Sequence, residues 1–316
     1  MLMLFNADHP QTTQIHALCE RLMPLYLDLL KKHQIEQTPA MHNMLETLYL
    51  PLSSWVAQQH QSSPVVIGIN GAQGSGKSTL TDIVKHILIE GFQQRVVSLS
   101  IDDLYLTQAE RLQLADDIHP LLATRGVPGT HDVELGVDIL NHLKSASDKP
   151  IHIPVFNKAI DDRASESDWQ SISGPVDIIL LEGWCVGARA CNVSALSEPI
   201  NELERNQDSD GAWRNYVNKQ LATTYRPLFN LIDRLIFLEA PSIEKVIEWR
   251  TLQEKKLVDS SANKKPDVMS EQQIRQFIMY FERITRHSLE TLPAIADITL
   301  KINDEHQVCE VNLHTR

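Results

Sequence analysis

The stretch "VVIGINGAQGSGKSTLTDIVKHILIE" (Val65–Glu90) constrains the fold of this 316-residue chain more than any other. Its first six residues, Val65 to Asn70, are an apolar, β-branched run without polar alternation, the pattern of a strand covered on both faces in a parallel sheet. They lead into Gly71, four further residues, and Gly76-Lys77-Ser78. A helix follows, with Leu80, Ile83, Val84, Ile87 and Leu88 on one face and Gly91 as its expected stop. Between a strand and a helix, that glycine spacing makes a phosphate-binding loop. Glycines let backbone N–H groups converge on an anion, and the helix N-terminus adds partial positive charge. Gly71, Ala72, Gln73, Gly74, Ser75, Gly76, Lys77, Ser78 and Thr79 are therefore the expected nucleotide-binding residues. Lys77 is expected on the β- and γ-phosphates and Ser78 on Mg²⁺.

Other phosphate-binding architectures match less of the chain. Gly74-Ser75-Gly76 begins a dinucleotide fingerprint, but the third small position is Thr79, and Asp102-Asp103 lie beyond the usual spacing. A guanine-reading N-K-x-D is missed by one residue in "NKKPD" (Asn263 to Asp267), and the D-x-x-G at Asp208 to Gly211 follows no strand. No LSGGQ-type transporter signature is present.

Downstream, strands and helices alternate. "RVVSLSI", "VDIILLE", "RLIFLEA" and "ADITLKI" read as further strands, and Pro154 makes "IHIPVF" an edge strand or a bend. About five or six strands with intervening helices predict an α/β doubly wound parallel sheet. Residues 1–62 read as an N-terminal helical extension, with Pro24 as a kink, and residues 63–316 as the catalytic domain. "NELERNQDSDGAW" and "DSSANKKPDVMS" read as polar mobile loops, and Ser270 with Gln273 as a capping box. The excess of 41 Asp+Glu over 29 Lys+Arg, net −12, argues against a broad nucleic-acid or anionic-membrane surface. Four cysteines without a C-x-x-C pair, no signal-peptide pattern in "MLMLFNADHP" and no spanning apolar run give a cytoplasmic expectation, as monomer or homodimer.

Carboxylates fall where phosphoryl transfer needs them. Asp102 and Asp103 end the strand after the loop helix, at the rim where parallel sheets bind ligands. One could accept the proton of an attacking hydroxyl; the alternative is an Asx turn or helix cap. Glu182, after the apolar run Ile178 to Leu181, sits where a Mg²⁺ ligand would, or where a strand-end charge meets solvent. Three clusters could bind an acceptor: Arg125, His131 and Asp132 in "RGVPGTHD"; Lys158, Asp161 and Arg163 in "NKAIDDRA"; and Trp184 with Arg189 in "GWCVGAR". Asp132 equally suits a helix cap, and any of the arginines a solvated loop. Arg250, Arg283 and Arg286 are lid candidates, with solvated helix faces as the alternative.

In order, "GAQGSGKST", "LSIDDLYLT", "RGVPGTHD", "PVFNKAIDDRA", "ILLEGWCVG" and "ADITLKIND" resemble the D-glycerate 3-kinase family of P-loop kinases across residues 64 to 310. The chain is similar more distantly to uridine kinase, pantothenate kinase and phosphoribulokinase. The resemblance implies Asp102 as base and metal contact, with Asp103 and Tyr105 beside it on the acceptor. It places Asp132 and Arg163 on the acceptor too, and an arginine-bearing lid near Arg250. Arg125, His131 and Trp184 complete the expected acceptor set, and Ser78, Asp102 and Glu182 the metal set. Two departures stand out: Leu104 replaces an aromatic, and Asp161 replaces a glycine. The implied activity is transfer from ATP, with Mg²⁺, to a hydroxyl of a small acceptor, with D-glycerate the leading candidate. A nucleoside, a pantothenate-like alcohol or a regulatory ATPase role are the alternatives.

Overall fold

A computed structural model of the chain describes residues 11–145, 148–260 and 269–314. The "MLMLFNADHP" stretch, and most of the loop expected at 259–270 with its "NKKPD", lie outside the described residues. In chain order the helices are α1 (Gln11–Lys32), α2 (Pro39–Met44), α3 (Leu50–Gln59), α4 (Lys77–Phe92), α5 (Gln108–Asp117), α6 (Val133–Lys144), α7 (Glu202–Gln207), α8 (Ala212–Ala222), α9 (Arg226–Phe229), α10 (Ile243–Ser260) and α11 (Glu271–Thr291). The strands are β1 (Val65–Gly71), β2 (Val96–Ser100), β3 (Ile151–Ile153), β4 (Phe156–Asn157), β5 (Asp162–Arg163), β6 (Gln170–Ile172), β7 (Ile178–Gly183), β8 (Arg234–Glu239), β9 (Ile298–Ile302) and β10 (Val308–Leu313).

The central sheet has the order β10-β9-β8-β1-β7-β2, parallel except for β10. Alternation along each strand divides the core between its two faces. Ile67, Ile69, Ile178, Leu180, Ile236 and Leu238 meet α4, α10 and the N-terminal helices. Val66, Val97, Leu99, Ile179 and Leu181 meet α6, α8, α9 and part of α11. The chain leaves β1 to one side for β2 and later returns to the other side for β8, so the carboxyl end of β1 is a topological switch point, where such sheets open a ligand crevice.

The N-terminal helices share the core cluster of α4 rather than forming a separate one: Leu22, Tyr26, Leu48 and Leu52 are buried with Ile83 and Ile87. Pro24 lies inside the 22-residue α1. Gly91 is not the stop of α4. The left-handed cap is Gln93, φ 56°, and Gly91 sits in the last turn, where a Cβ would lie 3.0 Å from Leu22 Cδ1. Its lack of a side chain admits α1.

One alternative is decided, one further expectation is corrected and one strand is added. Of the two alternatives for "IHIPVF" the bend holds: at Pro154 the chain turns from β3 into β4, which pair with β6 and β5 in two small antiparallel sheets beside the crevice. "NELERNQDSDGAW" is not an exposed loop. Asn201 caps α7, Glu204 is buried against Arg283, and the buried Asp208 receives N–H bonds from Trp213 and Arg214 as well as the Arg214 guanidinium. These polar residues go inside because they satisfy one another. Strand β10 is an addition, half-exposed and built from polar-rich sequence. Among the described residues no helix is long and apolar enough to cross a membrane.

Candidate active site

The loop after β1 has the conformation its glycines imply. Gly74 and Gly76 have φ of 76° and 89°, and Gly76 is the N-cap of α4, with Lys77 as its first residue. A Cβ on Gly74 would lie 3.0 Å from Trp249 Cβ and 3.1 Å from Arg250 N, so α10 packs directly on the loop. The Trp249 ring stacks on His306, centroids 4.3 Å apart, beside Gly76. Neither Trp249 nor His306 was expected near the loop, because each reaches it only through the packing of α10 and the β9–β10 turn.

Ser78 donates its hydroxyl proton to Glu182 Oε1 at 2.9 Å. Glu182 ends β7, in register with Ile69 of β1 and Ser100 of β2, which puts it beneath the loop. Its Oε2 is buried without a hydrogen-bond partner, as are Ser75 Oγ and Gln73 Oε1. Buried polar atoms are nearly always paired, so such a concentration marks a place built for a ligand. Among the described residues no group of three or more His, Cys, Asp or Glu side chains stands close enough to hold a metal alone. Ser78, Glu182 and the nearby Asp102 nevertheless fit Mg²⁺, which takes few protein oxygens and completes its shell with phosphate and water.

Opposite the loop, β2 runs into a 3₁₀ turn, Ile101–Leu104, capped by Ser100 Oγ accepting from Asp102 N. The turn aims the acids into the crevice and sends Leu104 into the core beneath α6, so the departure at Leu104 falls on packing. Asp102 Oδ1 accepts from the Tyr105 hydroxyl at 2.7 Å and Oδ2 from Lys158 Nζ at 2.7 Å. Burial works against its charge, but Lys158, Lys77 and the Tyr105 bond outweigh it, holding the carboxyl at about 2. Asp103 accepts from Phe156 N, and burial, with the Asp102 and Glu182 charges, raises its carboxyl above the usual range.

His131 is paired to Tyr105 through an isolated bridge, and their rings lie 4.7 Å apart. The Tyr225 hydroxyl accepts from Gly129 N at 3.0 Å and stands 2.6 Å from His131 Nδ1. Where the hydroxyl in turn donates to Nδ1, the hydrogen of a neutral imidazole is on Nε2. That Nε2 is buried without a partner, and burial lowers the imidazole to about 4 despite Asp102. Asp132 does two jobs, capping α6 through Leu135 N and accepting from Arg163 Nη2 at 3.3 Å. Arg163 also donates to Tyr105 O, and its Nε is buried and unpaired.

Several expected contacts have partners inside the protein. The Trp184 indole N–H donates to Gly126 O and the ring packs edge-on to Phe281, so it anchors the Gly126 loop. Arg125 pairs with Asp161 and lies over the Phe156 ring. Arg250 meets the loop through its backbone N, while its guanidinium pairs with Glu254 above Phe277 and leaves Nη1 buried and unpaired. Of the other lid candidates, Arg283 is fixed by Glu204 and by Ala195 and Glu198 carbonyls, and Arg286 by Glu282. Thr79 faces His33 of the N-terminal helices at 3.5 Å.

Sequence reasoning gave no role to Arg111. It is 1% exposed, donates to Leu106, Ala123 and Asp161 carbonyls and meets the Asp161 carboxylate at 3.1 Å. Asp161 adopts φ 53°, the left-handed conformation that suits a glycine, and its carboxylate adds a clamp on Arg111 and Arg125 that glycine could not supply.

No family model matches the chain. It is 35% identical over 228 residues to "Uncharacterized kinase mug58" of Schizosaccharomyces pombe, covering 70% of this chain and 79% of the other. It is 28% identical over 287 residues to the chloroplastic D-glycerate 3-kinase of Arabidopsis thaliana, covering 84% of this chain and 59% of that protein. The solved structure of D-glycerate 3-kinase from Cryptococcus neoformans superposes with a TM-score of 0.67 at 22% identity, over 94% of this chain and 99% of the other, and shares its fold. The loop, the acids at the strand ends and this kinship agree: the chain belongs to the P-loop kinase family that includes D-glycerate 3-kinase.

Proposed function

We propose that the protein transfers the γ-phosphoryl group of ATP to a hydroxyl of a small hydroxy acid, with D-glycerate the first candidate. The observation that carries this reading is the pair of buried, unpaired nitrogens on the acceptor side of Asp102: Arg163 Nε and His131 Nε2. A guanidinium suits a carboxylate, and a neutral imidazole N–H suits a neutral hydroxyl or carbonyl oxygen. Together they describe an acceptor carrying both functions. Kinship to proteins named D-glycerate 3-kinase supports the same choice.

The loop amides and Lys77 hold the donor phosphates. Asp102 is ionised throughout the physiological range. In a loose phosphoryl-transfer transition state the alcohol proton leaves late, so Asp102 first orients the hydroxyl and then takes its proton. Tyr105 fixes one oxygen of Asp102 and thereby the line of attack. Asp132 holds Arg163 against Tyr105, and Asp103, bound to Phe156 N, holds the β4–β5 hairpin over the acceptor. Mg²⁺ held by Ser78 and Glu182, with Asp102 beyond them, would neutralise charge developing on the phosphates. Positioning and electrostatics supply most of the catalysis.

The test is ADP release measured over a panel of hydroxy acids, nucleosides and pantothenate-like alcohols. Release stimulated by D-glycerate, with 3-phosphoglycerate formed, supports the reading. Stimulation only by a nucleoside or pantothenate-like alcohol reassigns the acceptor, and indifference to every compound favours a regulatory ATPase.

A further inference from the structure

Lys158 has no part in the mechanism above, yet it sits on the proposed base. It opens the turn between β4 and β5, and its Nζ is 2.7 Å from Asp102 Oδ2 while the side chain is 61% exposed. An exposed lysine–carboxylate pair is usually worth little. Three observations set this one apart. The turn is pinned: the buried Arg111 donates to Asp161 O at 2.6 Å, Phe156 N donates to Asp103, and Arg163 reaches Tyr105 O and Asp132. The backbone that carries Lys158 is thus fixed to the strand-end acids, while most of the flexible stem that brings its ammonium to Asp102 is exposed. Asp102 also feels Lys77 of the phosphate loop, so the acid lies in the field of two lysines from different elements. Finally, Tyr105 occupies Asp102 Oδ1, which leaves Oδ2 for an arriving alcohol, and Lys158 is on that oxygen.

We propose that Lys158 is a catalytic cation that substrate binding displaces from Asp102 Oδ2 onto an oxygen of the phosphoryl group in flight. The proposal rests on the kinase reading of the site. In the step, the bond from the acceptor oxygen to the γ-phosphorus forms as the bond from that phosphorus to the bridging oxygen breaks. The bridging oxygen keeps the electron pair and leaves on ADP. The alcohol proton passes to Asp102 Oδ2, the atom Lys158 has left. A compact ammonium on four methylenes suits such a move better than a guanidinium held in a fork. Its new partner carries charge that is spread differently in the transition state than in bound ATP, so its contribution falls on turnover rather than on nucleotide binding.

The experiment compares the full-length protein with Lys158→Ala, Lys158→Met and Lys158→Arg, measuring kcat and KM for the acceptor that the wild type uses and, separately, ATP affinity by calorimetry. The expected result is a kcat about 100-fold lower in the Ala and Met variants, with ATP affinity within about twofold of wild type. The Arg variant should recover about tenfold, since it restores the charge without the geometry. An unchanged kcat with a raised acceptor KM overturns the proposal in favour of acceptor binding. A higher kcat overturns it in favour of a latch on Asp102. Loss of ATP affinity in step with kcat overturns it too, because the effect then lies in the fold. Wild-type turnover tests the kinase reading by itself: an active wild type with a fully active Lys158→Ala removes only Lys158, whereas a wild type inert on every acceptor removes both.

Discussion

The two sides of the crevice are built in opposite ways. The donor side is one contiguous piece, β1, the glycine loop and the first turn of α4, and a loop of this kind recognises phosphate chiefly through backbone N–H groups and a helix end. The acceptor side is assembled from side chains far apart in sequence: Tyr105 O to Arg163 spans 58 residues, Asp102 to Lys158 spans 56, and His131 to Tyr225 spans 94. Most of its charges neutralise one another, as Arg111 and Arg125 do with Asp161 and Arg163 with Asp132. Backbone recognition needs only a local conformation, and a short motif can specify it. Side-chain recognition needs a tertiary frame, and much of the charge near it builds that frame.

The sharpest way to break the comparison is at the donor side, where one side chain concentrates the effect. Lys77→Ala should abolish turnover, by at least about a thousandfold, while leaving the unfolding midpoint in urea nearly unchanged, because no packed element depends on its ammonium. Retained turnover would remove the loop from the mechanism. On the acceptor side, Asp102→Asn should lower turnover by at least about a hundredfold with ATP affinity kept in a calorimetric titration. An equal loss of ATP affinity would mean that the two sides are not separable at Asp102.

The same division explains what was legible in the sequence. The loop, β1, α4 and the acids ending β2 and β7 could be read because apolar runs fix the strands and the strand ends fix the rim. The pairing of the two halves of "IHIPVF" and the helical path of "NELERNQDSDGAW" could not, because both depend on distant partners: β6 and β5 in the first case, Arg214 and Arg283 in the second. Arg111 carries no signal in its own neighbourhood, because its partner Asp161 lies 50 residues away. The one available signal was Asp161 standing where a glycine is usual, which asks for a positive φ and for a reason to keep a carboxylate there.

The acceptor side should also carry a pH signature that the donor loop lacks. His131 is held neutral at about 4 by burial, against an ordinary value of 6.5. Its folded value is depressed, so the associated stability is complete above about pH 6.5 and is lost as pH falls toward 4, where the unfolded chain binds the proton first. Between pH 7.5 and 5 the loss from this group should approach about 2 kcal/mol. Urea unfolding of wild type and His131→Asn across that window would check it: the variant should be less stable at pH 7.5 but show a shallower decline. Parallel declines would mean that the imidazole is not the group responsible.

The smallest effect discriminates between the two roles of Asp161. Its φ of 53° is a cost for a residue with a Cβ, and its carboxylate is the clamp on Arg111 and Arg125. Asp161→Gly removes the clamp and the strain together; Asp161→Ala removes the clamp and keeps the strain, without the local polar bonds that make aspartate tolerable there. Arg111 retains its carbonyl acceptors in both, so neither variant should unfold. Asp161→Gly is expected to cost about 1 kcal/mol and Asp161→Ala about 1 kcal/mol more in urea unfolding. The donor side should not register either change, with ATP affinity constant, while the acceptor KM rises as the hairpin loosens. Equal stability of the two variants would show that the backbone at this turn relaxes freely, and the acceptor side would then owe its shape to Arg163 and Asp103 rather than to the clamp at Asp161.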